Sequence, residues 1–366
     1  MLKLLLYPFS LLYGLAVDFR NRLYDFKILS SREFEVPVVS IGNITVGGTG
    51  KTPHTEYLVK LLRDRYCVAT LSQGYRRKSK GFRMVEISSE VQEAGDEPLQ
   101  VKRKFPEVQV AVCENRVTGV ERLLSENPPP DVVILDDAFQ HRRITPGINI
   151  LLIDYNRPLK EDLLLPAGRL RERESQVRRA NIIIITKCPS EITPITRRIM
   201  EKEVNLFPYQ DLYFTTLVYG QLLPVFPEGK PMDLFSNTRE MGVLVVTGIA
   251  APETIVDHLS SVSSEIDTAI FPDHHYFTAK DIQLIMHKFE KLASPKKIIV
   301  TTEKDTMRFR DVIELPEKLR SALYCLPVQV RFLDRGGKHF DQKILDYVGE
   351  NKSNRELHHR KNRLQA

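Results

Sequence analysis

Short apolar, β-branched runs alternate along the chain with segments whose apolar residues recur at helical spacing. VPVVSIG from Val36, CVATLS from Cys67, VQVAVC from Val108, DVVILDD from Asp131, INILLID from Ile148 and NIIIITK from Asn181 are apolar almost throughout, as strands covered on both faces are. Between the first two, residues 53–65 place Leu58, Leu61 and Leu62 on one helical face. Alternation of this kind predicts an α/β protein with a doubly wound, mostly parallel sheet. After Asn205 the texture changes to LFPYQDLYFTTLVYGQLLPVFPEGKP, where alternation with Pro and Gly punctuation reads as a hairpin or paired linker strands. Beyond it GVLVVTGIA, DTAIFP, KKIIVTTEKD and PVQVRFL supply a second set of strands around a helix over 279–292. The expected organisation is a hydrophobic helix within 1–30, a large α/β domain over 31–206, a strand linker over 207–235, a smaller α/β domain over 236–350 and a basic tail over 351–366.

The N-terminal segment differs in kind from the rest. Residues 4–17, LLLYPFSLLYGLAV, carry no charge, and Asp18, Arg20 and Arg22 close the run. It is shorter than the roughly 20 residues of an unaided spanning helix, and no small-residue cleavage pattern follows it. A monotopic helix set into the inner leaflet, its basic flank on anionic headgroups, is the favoured expectation; a helix buried in the protein's own core is the alternative.

The chain of 366 residues is 42% hydrophobic, enough for two packed domains, and its formal charge of +6 favours an anionic partner. One basic cluster, Arg63, Arg65, Arg76, Arg77, Lys78, Lys80 and Arg83, comes early. The other, Lys352, Arg355, Arg360, Lys361 and Arg363, forms the tail and reads as a solvated, frayed end. The four cysteines, Cys67, Cys113, Cys188 and Cys325, are scattered without a CxxC pair, so they read as reduced thiols of a cytosolic compartment. No obligate protein partner is evident.

Candidate chemistry begins directly after the first strand, in GNITVGGTGKTP. Gly47, Gly48, Thr49 and Gly50 would let backbone N–H groups close around phosphate oxygens, Lys51 would reach the β- and γ-phosphates, and Thr52 would ligate Mg²⁺. Thr45 stands where the strict P-loop pattern has its first glycine, and the alternative is a simple tight turn. The DVVILDD strand ends in Asp136 and Asp137, as a metal-bearing Walker B strand does, with a helix N-cap pair as the alternative. ATP and Mg²⁺ are the expected cofactors, and a P-loop NTPase-like fold the expected frame.

At this point the chain resembles the lipid A 4′-kinases, the tetraacyldisaccharide 4′-kinase family. SIGNITVGGTGKTP, LSQGYRRK, GDEP, ENRV, LDDAFQHRRI, LLPAGRLRE, FPDHH and TTEKD stand in the family's order, from the hydrophobic N-terminus to about residue 340. The resemblance implies ATP-dependent phosphorylation of the 4′-hydroxyl of a tetraacylated glucosamine disaccharide 1-phosphate, at the cytoplasmic face of a Gram-negative inner membrane. It further implies that Lys51 and Thr52 bind ATP and Mg²⁺, Asp136 and Asp137 hold the metal, and Asp96 of GDEP acts as base with His274 of FPDHH as its partner. Arg116 and Arg171 would neutralise phosphate charge, and Gln140 and His141 would complete the wall near the nucleotide. The other reading of each arginine is a surface ion pair. Gln73 replaces an arginine the family commonly has before GY, and Asn115 an acidic residue. Asp96 and His274 fall in different expected domains, so their pairing would accompany domain closure.

Other classes fit less of the chain. A membrane ATPase or GTPase switch with a deviant Walker A would carry lysine where Val46 stands, and ITKCP lacks the final Asp of a guanine-specificity motif. A metal-dependent phosphoesterase accounts for Asp-His-His but leaves the P-loop unexplained. Nucleic-acid binding rests on charge alone, with no reading helix or RNP-like stretch.

Overall fold

The structure, a computed structural model, describes residues 2–227, 231–232, 241–312 and 315–365; the boundary expected at 235/236 lies outside the described residues. The apolar runs become strands: β1 Val38–Gly42, β2 Val68–Ser72, β3 Arg83–Met84, β4 Gln109–Val112, β5 Val132–Asp136, β6 Ile148–Asp154, β7 Ile182–Thr186 and β8 Asp211–Tyr219. Two-residue β9 (Leu223–Pro224) is followed by β10 Met241–Thr247, β11 Glu265–Ile270, β12 Lys296–Thr302, β13 Leu323–Leu326 and β14 Val328–Phe332. They form a nine-stranded sheet in the order β14-β8-β7-β6-β1-β5-β2-β4-β3 and a five-stranded sheet in the order β11-β10-β12-β13-β9. In the larger sheet β4, β2, β5, β1, β6, β7 and β8 are mutually parallel, while β3 and β14 run antiparallel at the edges.

Helix α2, Lys51–Leu62, buries Leu58, Val59 and Leu62 against the large sheet's core, which includes Val39, Ile41 and Ile134. The small sheet has its own core of Leu244, Val246, Ile285, Phe289, Ile299 and Phe309. The run PVQVRFL does not join the smaller sheet. The sequence assigns it to the second strand set, but β14 pairs with β8 of the large sheet, Val330 opposite Leu217. The following helix, Gly336–Gln365, then packs Phe340, Ile344 and Val348 into the same core as Leu58 and Leu62. The chain therefore leaves the large sheet after β8 and returns at β14, where the Gly220 N–H donates to the Pro327 carbonyl at 3.0 Å. The expected frayed tail is helical in its backbone to Gln365, while the side chains of Lys352, Arg355, Arg360, Lys361 and Arg363 lie outside the described set.

Helix α1, Leu2–Asp25, is polar inward and apolar outward. Leu12 and Phe19 are 64% and 65% exposed and Leu5, Phe9 and Leu15 face out with them, whereas Ser10 and Asn21 are buried. Ser10 Oγ donates to the Leu164 carbonyl and accepts from the Ala167 N–H, both at 2.9 Å, and Asn21 Nδ2 donates to Glu172 Oε1 at 3.0 Å. The alternative of a helix buried in the protein's own core fails here, because its apolar side is the uncovered one. Among the described residues no helix is long and apolar enough to cross a membrane.

Candidate active site

The glycines after β1 adopt backbone conformations that side chains resist. Gly47 has φ 109° and Gly50, at the N-cap of α2, has φ 85°. The loop's carbonyls are turned away from its interior by fixed donors. Lys187 Nζ hydrogen-bonds the Gly48 carbonyl, Thr186 Oγ1 donates to that of Thr49 at 2.9 Å, and His54 Nδ1 lies 2.7 Å from that of Gly50. Burial pushes His54 down to about 4, so its neutral ring donates through Nδ1 while Nε2 faces Thr215 Oγ1 at 3.0 Å. Asn43 Nδ2 donates to Thr49 Oγ1 at 2.8 Å. With the carbonyls engaged, the N–H groups at the start of α2 are the groups left for an anion, the arrangement that binds phosphate at a helix N-terminus. Lys51 and Thr52 are the first two residues of that helix.

Strand β5 lies directly beside β1, Asp136 opposite Ile41, and so delivers its carboxylate next to the loop. Asp136 Oδ1 accepts from Thr55 Oγ1 and from the Asp137 N–H, each at 3.0 Å. Burial, then the charges of Glu97 and Asp137, raises Asp136 to about 7 against the pull of Lys51. Asp137, strained at φ 47°, faces two cations: Lys51 Nζ at 3.7 Å and Arg171 Nη1 at 3.2 Å. Arg171 arrives because residues 44–46 pair with 169–171, the Arg171 N–H donating to the Ile44 carbonyl and the Val46 N–H to that of Arg169, both at 2.7 Å.

This donor set fits Mg²⁺. Among the described residues no three His, Cys, Asp or Glu side chains form a self-contained metal cage. Mg²⁺ does not need one, because it keeps waters and binds through one or two carboxylates plus nucleotide phosphates. A buried carboxylate whose proton affinity is raised by neighbouring acids lacks a counter-charge that a divalent cation would supply.

Arg116 is not a surface ion pair. Its residue is 1% exposed, Nη1 donates to the Cys113 carbonyl at 2.6 Å, and Nε has no partner among the described residues. Burial lowers its proton affinity while Asp136 and Asp137 raise it, which places its charge beside theirs. Asn115 caps the helix Arg116–Leu124 by accepting from the Val117 N–H at 3.2 Å, a task asparagine performs as well as an acid. Gln140 Nε2 donates to the Asn43 carbonyl at 2.8 Å and its Oε1 meets Arg171 Nη1 at 3.5 Å; His141 Nε2 lies 3.1 Å from the Glu114 carbonyl. Gln140 therefore lines the loop's flank, whereas His141 contacts the segment that follows β4.

Asp96, 3% exposed, is the first residue of the helix Asp96–Lys104, whose N-cap is Gly95. Its Oδ2 lies 2.9 Å from His274 Nδ1 and accepts from Arg308 Nη2 at 2.6 Å, with Lys304 Nζ at 3.9 Å. Burial pushes the carboxyl up, yet the His274 hydrogen bond and the charges of Lys304, His274 and Arg308 outweigh it and hold Asp96 well below the usual carboxylate range. His274 is strained at φ 61°, with its N–H on the Gly248 carbonyl at 3.1 Å and Tyr75 tilted over its ring. The expectation that this pair is made only on domain closure is corrected: the two lobes already pack together, and the pair is formed. The second histidine of FPDHH turns away to Asp281 at 2.9 Å, so the two do not act as a metal pair.

The sequence did not single out Glu97, Thr55, Lys187, Lys304 or Arg308. Glu97 and Lys304 sit inside GDEP and TTEKD, so the motifs flagged their neighbourhood; Arg308, one helical turn past Asp305, had no local signal.

A profile of the LpxK family, tetraacyldisaccharide-1-P 4′-kinase, matches residues 2–348. The tetraacyldisaccharide 4′-kinase of Phocaeicola vulgatus is 50% identical over 351 residues, 95% of this chain and 96% of its own. That of Bacteroides thetaiotaomicron is 48% identical, covering 99% of this chain and 97% of its own. Among solved structures, the "apo" form of LpxK from Aquifex aeolicus in complex with ATP superposes with a TM-score of 0.74 at 31% identity, covering 95% of this chain and 99% of that one. By profile, by identity along nearly the whole length and by fold, this chain belongs to the tetraacyldisaccharide-1-P 4′-kinase family.

Proposed function

We propose that the chain transfers the γ-phosphoryl group of ATP to the 4′-hydroxyl of a tetraacylated glucosamine disaccharide 1-phosphate, working from the cytoplasmic face of the bacterial inner membrane. One observation carries the reading: two adjacent acids join two half-sites. Glu97 acts electrostatically on Asp136 at the phosphate loop, while Asp96 pairs with His274 from the other lobe. An acceptor hydroxyl at Asp96 would therefore sit beside a nucleotide held by the loop.

Lys51, with the N–H groups of Gly48, Gly50 and Lys51, would hold the phosphates, and Arg171 and Arg116 would balance the charge that builds on the moving phosphoryl group. Thr52, Asp136 and Asp137 would hold Mg²⁺, which supplies charge neutralisation across the β- and γ-phosphates when bound. Asp96, held well below the usual carboxylate range, would accept the hydroxyl's hydrogen bond as a carboxylate. Its low proton affinity means the proton leaves late, as the oxygen–phosphorus bond forms, with His274 keeping the carboxylate aimed.

The outward apolar side of α1 supports seating on a lipid surface. Each large apolar side chain buried there would gain roughly 1.5–3 kcal/mol if fully covered. The domain built on the large sheet would then face a substrate whose acyl chains stay in the bilayer. The test is label transfer from ATP to a panel of lipid disaccharides in detergent micelles with a nonlipid sugar as control. Labelling of the tetraacylated disaccharide 1-phosphate is expected, and labelling of water alone would sink the proposal.

A further inference from the structure

We propose that Arg308 is a positioning residue for phosphoryl transfer: its guanidinium clamps one oxygen of Asp96 and leaves the other to receive the sugar hydroxyl. The inference rests on the reading of Asp96 as the acid that meets substrate.

The side chain of Arg308 is 1% exposed and its fork is divided between the two lobes. Nη2 donates to Asp96 Oδ2 at 2.6 Å, while Nη1 donates to Asp305 Oδ1 at 2.8 Å and to the Gly248 carbonyl at 3.2 Å. Asp305 is itself fixed. Its Oδ2 accepts from Thr247 Oγ1 at 2.8 Å and Thr302 Oγ1 at 2.6 Å, and its Oδ1 from the Gly248 N–H at 3.2 Å. A planar fork held on one side by an immobile carboxylate fixes the direction of the other side.

The consequence falls on Asp96. Arg308 and His274 both use Oδ2, whereas among the described residues Oδ1 accepts only the Glu97 N–H, at 3.1 Å. A carboxylate oxygen has room for a second donor, so Oδ1 is the atom placed to take the hydroxyl proton. In the step, the sugar oxygen bonds to the γ-phosphorus, its proton passes to Oδ1, and the bond to the β-phosphate oxygen breaks to release ADP. The backbone leaves the clamp little room to shift: a Cβ on Gly248 would lie 3.0 Å from the Pro272 carbonyl oxygen and 3.4 Å from Arg308 Nη1.

A merely structural inter-lobe ion pair would cost stability when broken and spare turnover. Arg308→Lys keeps the charge but loses the fork, and Asp305→Asn loosens the fork without touching Asp96. Misaiming a catalytic group by about an ångström costs on the order of 100-fold. Arg308→Lys should therefore lower kcat about 30-fold or more with KM for ATP within about twofold, and Asp305→Asn should lower it about tenfold. The double variant should be no slower than Arg308→Lys, because residues acting as one unit are non-additive. Circular dichroism and ATP affinity report the folded fraction, to which rates are normalised. Turnover of folded Arg308→Lys within about threefold of the parent, or losses that multiply in the double variant, overturns the clamp. The parent enzyme is the control: no transfer to lipid by the parent overturns the functional reading itself, whereas a normal parent with an unaffected Arg308→Lys overturns only the clamp.

Discussion

Asp136→Asn should make the nucleotide-free protein more stable while weakening its hold on Mg²⁺. Burial and the neighbouring acids raise Asp136 from 3.8 to about 7. A rise of about three units corresponds to about 4 kcal/mol of disfavoured ionisation, an upper figure because water and relaxation soften a buried charge. The sign follows from linkage. Between the two values the folded protein holds a proton that the unfolded chain has released, so the neutral acid's stability is full below pH 3.8 and is lost as pH rises through about 7. Asparagine is neutral throughout. The variant's gain in thermal midpoint should thus be several degrees at pH 8 and vanish near pH 4. Isothermal titration in buffers of different ionisation enthalpy gives the complementary reading. At pH 7 the parent should release about half a proton more than Asp136→Asn on binding Mg²⁺-nucleotide, since the cation drives Asp136 to its ionised form. A variant less stable at pH 8, with the same proton count as the parent, would refute the reasoning.

Other substitutions probe the remaining parts. Lys51→Ala should lower turnover by several powers of ten in a folded protein, read by steady-state transfer, because positioning and charge carry this chemistry. Asp96→Ala and His274→Ala should each lower kcat strongly, and the double variant should be little worse than the poorer single; cleanly multiplying losses would show separate roles. Leu12→Ser with Phe19→Ser should release the protein from liposomes in a flotation assay with ATP binding unchanged. Tyr13→Phe should leave flotation unchanged and lower turnover a few-fold, because Tyr13 Oη donates to the Arg171 carbonyl at 2.9 Å.

The glycine loop and the helix after it were legible because their signal is local: a buried strand, glycines, then lysine and threonine opening a helix. Asp136 and Asp137 were legible for the same reason, as acids closing an apolar strand. What the sequence hid is long-range. PVQVRFL reads equally well as a strand of either sheet, and only packing of Phe332 and Phe340 against Tyr57 and Tyr213 returns it to the large one. For Arg116 the sequence left a phosphate contact and a surface ion pair both open, and only the fold, which buries it, removes the second. Arg308 meets Asp96 across 212 positions of sequence, a pairing that no local pattern encodes. The uncharged N-terminal run announced a hydrophobic helix, but not that Ser10 and Asn21 would bind it to residues beside Arg171.

The central claim, phosphoryl transfer to the distal sugar of a lipid disaccharide, is tested most directly by locating the new phosphate. Parent protein incubated with Mg²⁺-ATP and tetraacylated disaccharide 1-phosphate in micelles should yield a bisphosphorylated lipid. Fragmentation mass spectrometry should place the added group on the 4′ oxygen, and Asp96→Asn should give little of that product at equal protein. Phosphate at any other position, or ATP consumed with no phosphorylated lipid formed, would contradict the account.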